Sequence, residues 1–149
     1  MQNDHYEMGL TLWAKWTEMW NGRPELGREL VAERFALHLP LPNLVDPETI
    51  NDPVSVERWV SEHRARYERI VFRYGAGPFV DTVAGVVAGP WSADIIAGGS
   101  ARLVCGMDTI AFSAGKITEY WTLSKDVEAI GMWTTALIFE PISPSSSVD

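Results

Sequence analysis

Three side chains could do chemistry together: His38, Asp108 and Tyr120. A histidine paired with a carboxylate can move protons, with the imidazole as general base and the aspartate as its orienting partner. A tyrosine hydroxyl can donate a hydrogen bond to an enolate or oxyanion as it forms. Such a set serves proton abstraction beside a carbonyl, as in isomerisation, aldol cyclisation or dehydration. Other chemistries find no support. No His, Cys or carboxylate spacing of a metal site is present. Gly75-Ala76-Gly77-Pro78 lacks the lysine and following helix of a phosphate loop. Neither a metal nor a cofactor is therefore expected. Cys105 alternates with Ala101 and Leu103 and reads as a small buried hydrophobe. A single cysteine makes no internal disulfide, so a cytoplasmic setting is expected.

These residues must be positioned by one domain, because 149 residues leave little room for two. Residues 1–140 read as the domain, and 141–149, with Pro144 and three serines in a row, as a disordered tail. Twelve basic against twenty acidic residues give a net charge of −8, which disfavours nucleic acid and anionic lipid as partners. The basic stretch from His63 to Arg69 has Glu57, Glu62 and Glu68 beside it in a helical pattern and reads as a solvated helix face. The longest apolar run, Val83 to Trp91, is too short to span a membrane, and Met1 to His5 shows no secretory pattern.

Helical spacing of Leu12, Trp13, Trp16, Met19 and Trp20 predicts a first helix from about Asp4 to Trp20. Its tryptophan stripe reads as a stacking platform or as a bulky core face. Pro24 opens a short second helix, and the chain turns extended near Phe35. Pro40 and Pro42 terminate that strand or confine it to an edge. Asp52 and Pro53 supply the cap and first turn of a third helix reaching Arg69, with Val56, Trp59, Val60, His63 and Tyr67 as its apolar stripe. From Ile70 the pattern changes to strands: 70–74, 79–87, 91–97, 101–112 and 116–123. Gly98-Gly99 and Ala114-Gly115 mark hairpins. Residues 126–140 read ambiguously as a short helix followed by a strand over 134–139. Helices first and strands after argue an α+β fold, with three N-terminal helices on a curved antiparallel sheet. If the sheet curls, a conical pocket is left between the two.

The stretch from Gly106 to Trp121, GMDTIAFSAGKITEYW, resembles the G-x-D-x-x-x-F-x-x-G-K-I-x-E-x-W ending of SnoaL-like domains. These belong to the nuclear transport factor 2-like, or cystatin-like, superfamily. The resemblance covers about residues 4–126. It implies a cone-shaped α+β barrel, a small organic ligand in the cone, and a homodimer formed through the outer sheet face. A shorter segment, His38-Leu39-Pro40-Leu41-Pro42, is similar to the N-x-P-L-P segment of the limonene epoxide hydrolase branch, with His38 in the place of the Asn. The resemblance also implies a catalytic carboxylate directly after the Trp121 position. Thr122 stands there instead, and the Arg-x-Asp pair of the hydrolase branch is missing.

Alignment with the family turns Asp108 into the cavity, and strand alternation then places Ile110 and Phe112 on the same face. By the same route Tyr120 and Thr122 face inward, Trp91 lines the cavity from an earlier strand, and His38 faces in from the first. Trp13 and Trp16 of the first helix and Trp59 and His63 of the third are the expected ligand contacts. The reading is a cofactor-independent enzyme for a small apolar carbonyl or polyketide-like compound. Its alternative is a non-catalytic module of the same fold that binds a small molecule or dimerises.

Overall fold

A computed structural model of the protein describes residues 2–40 and 45–126. The expectations for 126–140 and for the tail lie outside these residues, apart from Asp126 itself.

Helix α1 spans Gln2–Trp20 and is followed by a 3-10 turn at Pro24–Leu26 and a single helical turn, α2, at Gly27–Leu30. Strand β1 is Val31–His38. A second 3-10 turn at Pro47–Thr49 leads to α3, Pro53–Ala65. There the Asp52 side chain accepts from the Ser55 backbone while the Ser55 hydroxyl accepts from the Asp52 backbone, a reciprocal cap that fixes where α3 starts. Strands β2 (Arg69–Tyr74), β3 (Phe79–Asp81), β4 (Val86–Ala97), β5 (Ser100–Ser113) and β6 (Lys116–Asp126) follow.

The sheet runs in the order β1-β6-β5-β4-β2, with β3 also paired to β4, and it is curved but not closed. Both predicted hairpins form. Gly98, Gly99, Ala114 and Gly115 all have positive φ, the twist that tight hairpin turns require. Three expectations change. The sheet is mixed and not wholly antiparallel, because β1 lies parallel to β6 after the long crossover through α3. The expected strand 79–87 breaks at a turn where the Asp81 carboxylate accepts from the Val83 and Ala84 backbones. Helix α3 stops at Ala65 with Arg66 as its C-cap, so residues 67 and 68 form the bend that leads into β2 at Arg69. Pro40 does follow an edge strand, as read from the sequence.

The stripe of α1, with Leu30, Val56 and Val60, packs on the concave face of β1, β4, β5 and β6. Trp16, Met19, Val56, Val60, Val87, Ile110 and Ile117 have no exposed surface and form the closed end of the cone. A second cluster of Ile70, Trp91, Ala93 and Ile95 lines the sheet toward its open end.

Candidate functional site

Between the two clusters lies a cavity of about 360 Å³, within the usual size range for small-molecule sites. Its wall comes from the end of α1 (Trp20), from α3 (Trp59, His63, Arg66), and from the inner faces of β2, β4, β5 and β6.

Asp108 is the acidic residue among its described lining residues, and it is 3 % exposed. The local sequence explains how it is held. Gly106 and Asp108 share the inner face of β5, and Gly106 sits opposite Trp91 on β4. A Cβ at Gly106 would lie 2.7 Å from the Trp91 ring and 2.2 Å from the Leu123 carbonyl oxygen. The absent side chain is the space the indole fills. From there Trp91 Nε1 donates to Asp108 Oδ1 at 2.6 Å. Thr122, opposite Asp108 on β6, and Tyr120 also face its carboxylate and favour the ionised form. The G-x-D of the sequence is thus one device: the glycine admits the indole, and the indole holds the aspartate.

Burial pushes the Asp108 carboxyl up, and the donors Thr122, Tyr120 and Trp91 pull it part of the way back, to about 6. The buried Tyr120 phenol is driven well above its ordinary value by burial first and then by the charge of Asp108, so it stays a donor. Tyr74 is raised for the same two reasons. Two carboxylate oxygens offer about four acceptor positions, so the Trp91 N–H leaves room for a proton or a ligand hydrogen. A carboxylate whose proton affinity lies near the working pH is suited to general acid–base work.

His63 faces the same cavity from α3. Its ring meets Trp20 edge-on at 5.5 Å and Tyr67 at 5.5 Å. Burial, with Arg66 and Arg64 adding to it, lowers its pKa to about 4, so the imidazole is neutral at physiological pH. Trp20 is buried beside it, and its indole N–H finds no acceptor among the described residues.

His38 is not in the cavity, and the expected His38–Asp108 pair does not form. The parallel register sets Leu37 beside Tyr120 and His38 beside Trp121, so Leu37 points in and His38 points out. On the outer face the His38 ring stacks on Trp121 at 4.6 Å with 8° between planes. Its Nε2 lies 3.0 Å from Glu119 Oε2.

Of the expected ligand contacts, Trp59, His63, Trp91 and Thr122 line the cavity, and Trp13, Trp16, Ile110 and Phe112 do not. These four belong to the closed end. Trp13 lies where a Gly89 side chain would stand and meets Tyr74 at 5.9 Å. Trp16 packs on Tyr120 at 4.8 Å. Ile110 is inaccessible, and Phe112 fills the space over Gly9. Of the α1 stripe, only Trp20 at its last turn reaches the cavity. Sequence reasoning missed Trp20 and the cations Arg66, Arg102 and Lys125 that also line it. Two of these could have been read. Arg66 follows His63 by one helical turn, and Arg102 has the strand parity of Asp108. Assigning the whole 63–69 stretch to a solvated face hid the first.

No protein-family model matches the sequence, and no curated protein sequence does. Solved structures do match. A protein from Acidithiobacillus ferrooxidans described as a candidate polyketide cyclase superposes with TM-score 0.66 at 18% identity, over 79% of this chain and 88% of its own. A candidate SnoaL-like polyketide cyclase from Jannaschia sp. CCS1 gives 0.66 at 9% identity, over 91% and 94%. A candidate isomerase of the SnoaL-like family from Agrobacterium tumefaciens gives 0.61 at 15% identity, over 80% and 98%. The chain has the SnoaL-like, nuclear transport factor 2-like fold. At these identities the likeness speaks for the fold. No helix among the described residues is long and apolar enough to cross a membrane.

Proposed function

We propose that the cavity catalyses proton transfer at a carbon beside a carbonyl, without a cofactor, in a reaction of the isomerase or cyclase kind. The observation that carries this reading is the buried Asp108 carboxylate, raised to about 6 and held by the Trp91 indole in a cavity of ligand size. Asp108 takes the proton from carbon and returns it to a second position or to the product. Burial makes the ionised form reactive, and the donors keep enough of it ionised at neutral pH. His63 supplies a neutral imidazole on the facing wall, able to accept or donate a hydrogen bond to the substrate oxygen. The relatives described as polyketide cyclases and isomerases fit this reading in kind.

Proton exchange tests it directly. A neutral cyclic aromatic ketone such as 2-tetralone is incubated in D2O with the protein, and loss of its α-proton signal is followed by NMR. Catalysed exchange that Asp108→Asn removes supports the reading. No exchange above buffer across a panel of ketones would overturn it. The second reading, a binding module without turnover, rests on Thr122 at the position where the family carries its carboxylate. It predicts ligand binding that survives Asp108→Asn with no exchange at all.

We also infer that two copies of the chain pair through the outer sheet face. Met107, Trp121 and Leu123 are 45 %, 37 % and 65 % exposed there, and Met107 lies directly opposite Leu123. A dimer in sedimentation that Leu123→Lys converts to monomer supports this, and a wild-type monomer at micromolar concentration refutes it.

A further inference from the structure

The charges along the cavity are sorted by depth. Asp108 lies at the buried end, whereas Arg66, Arg102 and Lys125 sit toward the mouth and are all exposed residues. They come from three separate elements: Arg66 caps α3, Arg102 stands near the start of β5, and Lys125 near the end of β6. Arg102 shares the inner parity of Asp108 six residues along β5, so their Cα atoms are about 20 Å apart at about 3.4 Å per residue. Between them the wall is mostly apolar, with Ile95, Ala93 and Val104 on the sheet and Tyr67 opposite, and Ser124 as a polar member. Among the described lining residues the cations Arg66, Arg102 and Lys125 outnumber the one acid, Asp108, in a chain of net charge −8. A cleft lined by one sign at its mouth focuses ligands of the other.

We propose that the ligand of this cavity is an elongated, largely apolar carbonyl compound bearing an ionised carboxylate at its far end. The arginines hold the carboxylate at the mouth, and the apolar body lies along β4 and β5. The carbonyl end reaches Asp108 and Tyr120. Arginine is suited to this because its fork of N–H donors matches a carboxylate and its charge persists at every working pH. The arrangement also fixes direction. The reverse pose would bury a second carboxylate against Asp108, where like charges in a low-dielectric pocket repel strongly. This inference rests on the reading of Asp108 as the reacting end of the cavity.

The test separates the two. The probes are 6-acetyl-2-naphthoate and its methyl ester, which carry the ketone and the carboxyl group at opposite ends of an apolar body and differ in charge at nearly constant shape. Binding is measured by titration calorimetry at 50 and 500 mM NaCl. The acid is expected to bind about tenfold more tightly than the ester at low salt, the equivalent of about 1.4 kcal/mol. That ratio should shrink at high salt and fall to about one in the Arg66→Gln, Arg102→Gln double variant. Asp108→Asn should keep the ratio, because the charge it removes is at the other end. Equal affinities for acid and ester in the wild type, or a preference that persists in the double variant, would overturn the anionic-ligand inference while leaving the proton-transfer reading standing. Failure of both probes to bind would count against both.

Discussion

The two faces of one short stretch of β6 show how little residue type says about role. Tyr120 and Thr122 face the cavity and hold Asp108, while Glu119 and Trp121, one step away, face outward and hold His38. Two histidines divide in the same way. His63, a lone imidazole among aromatic rings, is forced neutral by burial. His38 is half-exposed and has both an acid and an indole as neighbours. The outer cluster has the appearance of a catalytic pair in sequence and the surroundings of a surface contact in space. The inner cluster has one acid and the perturbed proton affinities.

Five experiments press on that contrast. The largest expected effect is on turnover. Asp108→Asn should lower catalysed α-proton exchange by about 10²–10⁴-fold, the usual worth of a positioned acid or base. His38→Ala should leave the rate unchanged. Equal losses in the two would erase the distinction between the faces.

Next comes the glycine that admits the indole. Gly106→Ala should cost about 3 kcal/mol or more, because the new methyl meets a backbone carbonyl that cannot move aside as well as the Trp91 ring. Chemical denaturation reads it. A variant of wild-type stability would mean that Trp91 is not fixed where the hydrogen bond to Asp108 requires.

The third sharpens the electrostatics of the inner face. Asp108 has a folded-state pKa raised from 3.8 to about 6, so the native state holds its proton longer and stability falls as pH rises from about 4 to about 6. His63 is lowered from 6.5 to about 4, so the native state resists charging it and stability falls as pH drops through the same window. Each effect is on the order of 3 kcal/mol, and in the wild type they oppose one another. Urea midpoints against pH should therefore rise only slightly in the wild type, through the lowered carboxylates of Glu25, Glu29 and Asp52. They should rise with pH in Asp108→Asn and fall with pH in His63→Gln. Matching slopes in the two variants would refute the assignment.

A smaller change follows from Trp91→Phe, which deletes one donor and keeps most of the ring. With less to stabilise the ionised form, the Asp108 carboxyl should rise further, moving the pH midpoint of exchange upward from about 6. A midpoint that stays put would show that Tyr120 and Thr122 suffice. The smallest effect belongs to the outer face. His38→Ala removes an exposed contact to Glu119 and should cost about 0.2–1 kcal/mol in thermal unfolding, as exposed ion pairs do.

The sequence by itself settled the elements and their order. Helical periodicity found the buried stripe of α1, the Asp52-Pro53 pair placed the start of α3, and the glycine turns placed both hairpins, because each signal is local and acts through backbone conformation. The resemblance of the 106–121 stretch carried the fold and turned Asp108 inward, and strand parity then put Tyr120 and Thr122 on the same face of their strand, because alternation holds within any unbroken strand. Tertiary structure decided which face of β1 points inward. That follows from parallel pairing with β6, which is more than 80 positions away in the sequence, and a shift of one residue reverses every side chain. It also decided how deep each inward residue lies. Trp13, Trp16, Ile110 and Phe112 have the right parity or stripe but fall at the closed end, where helix and sheet meet and no space remains. Position along a tapering cone is set by how layers cross, and no periodicity within one element records it.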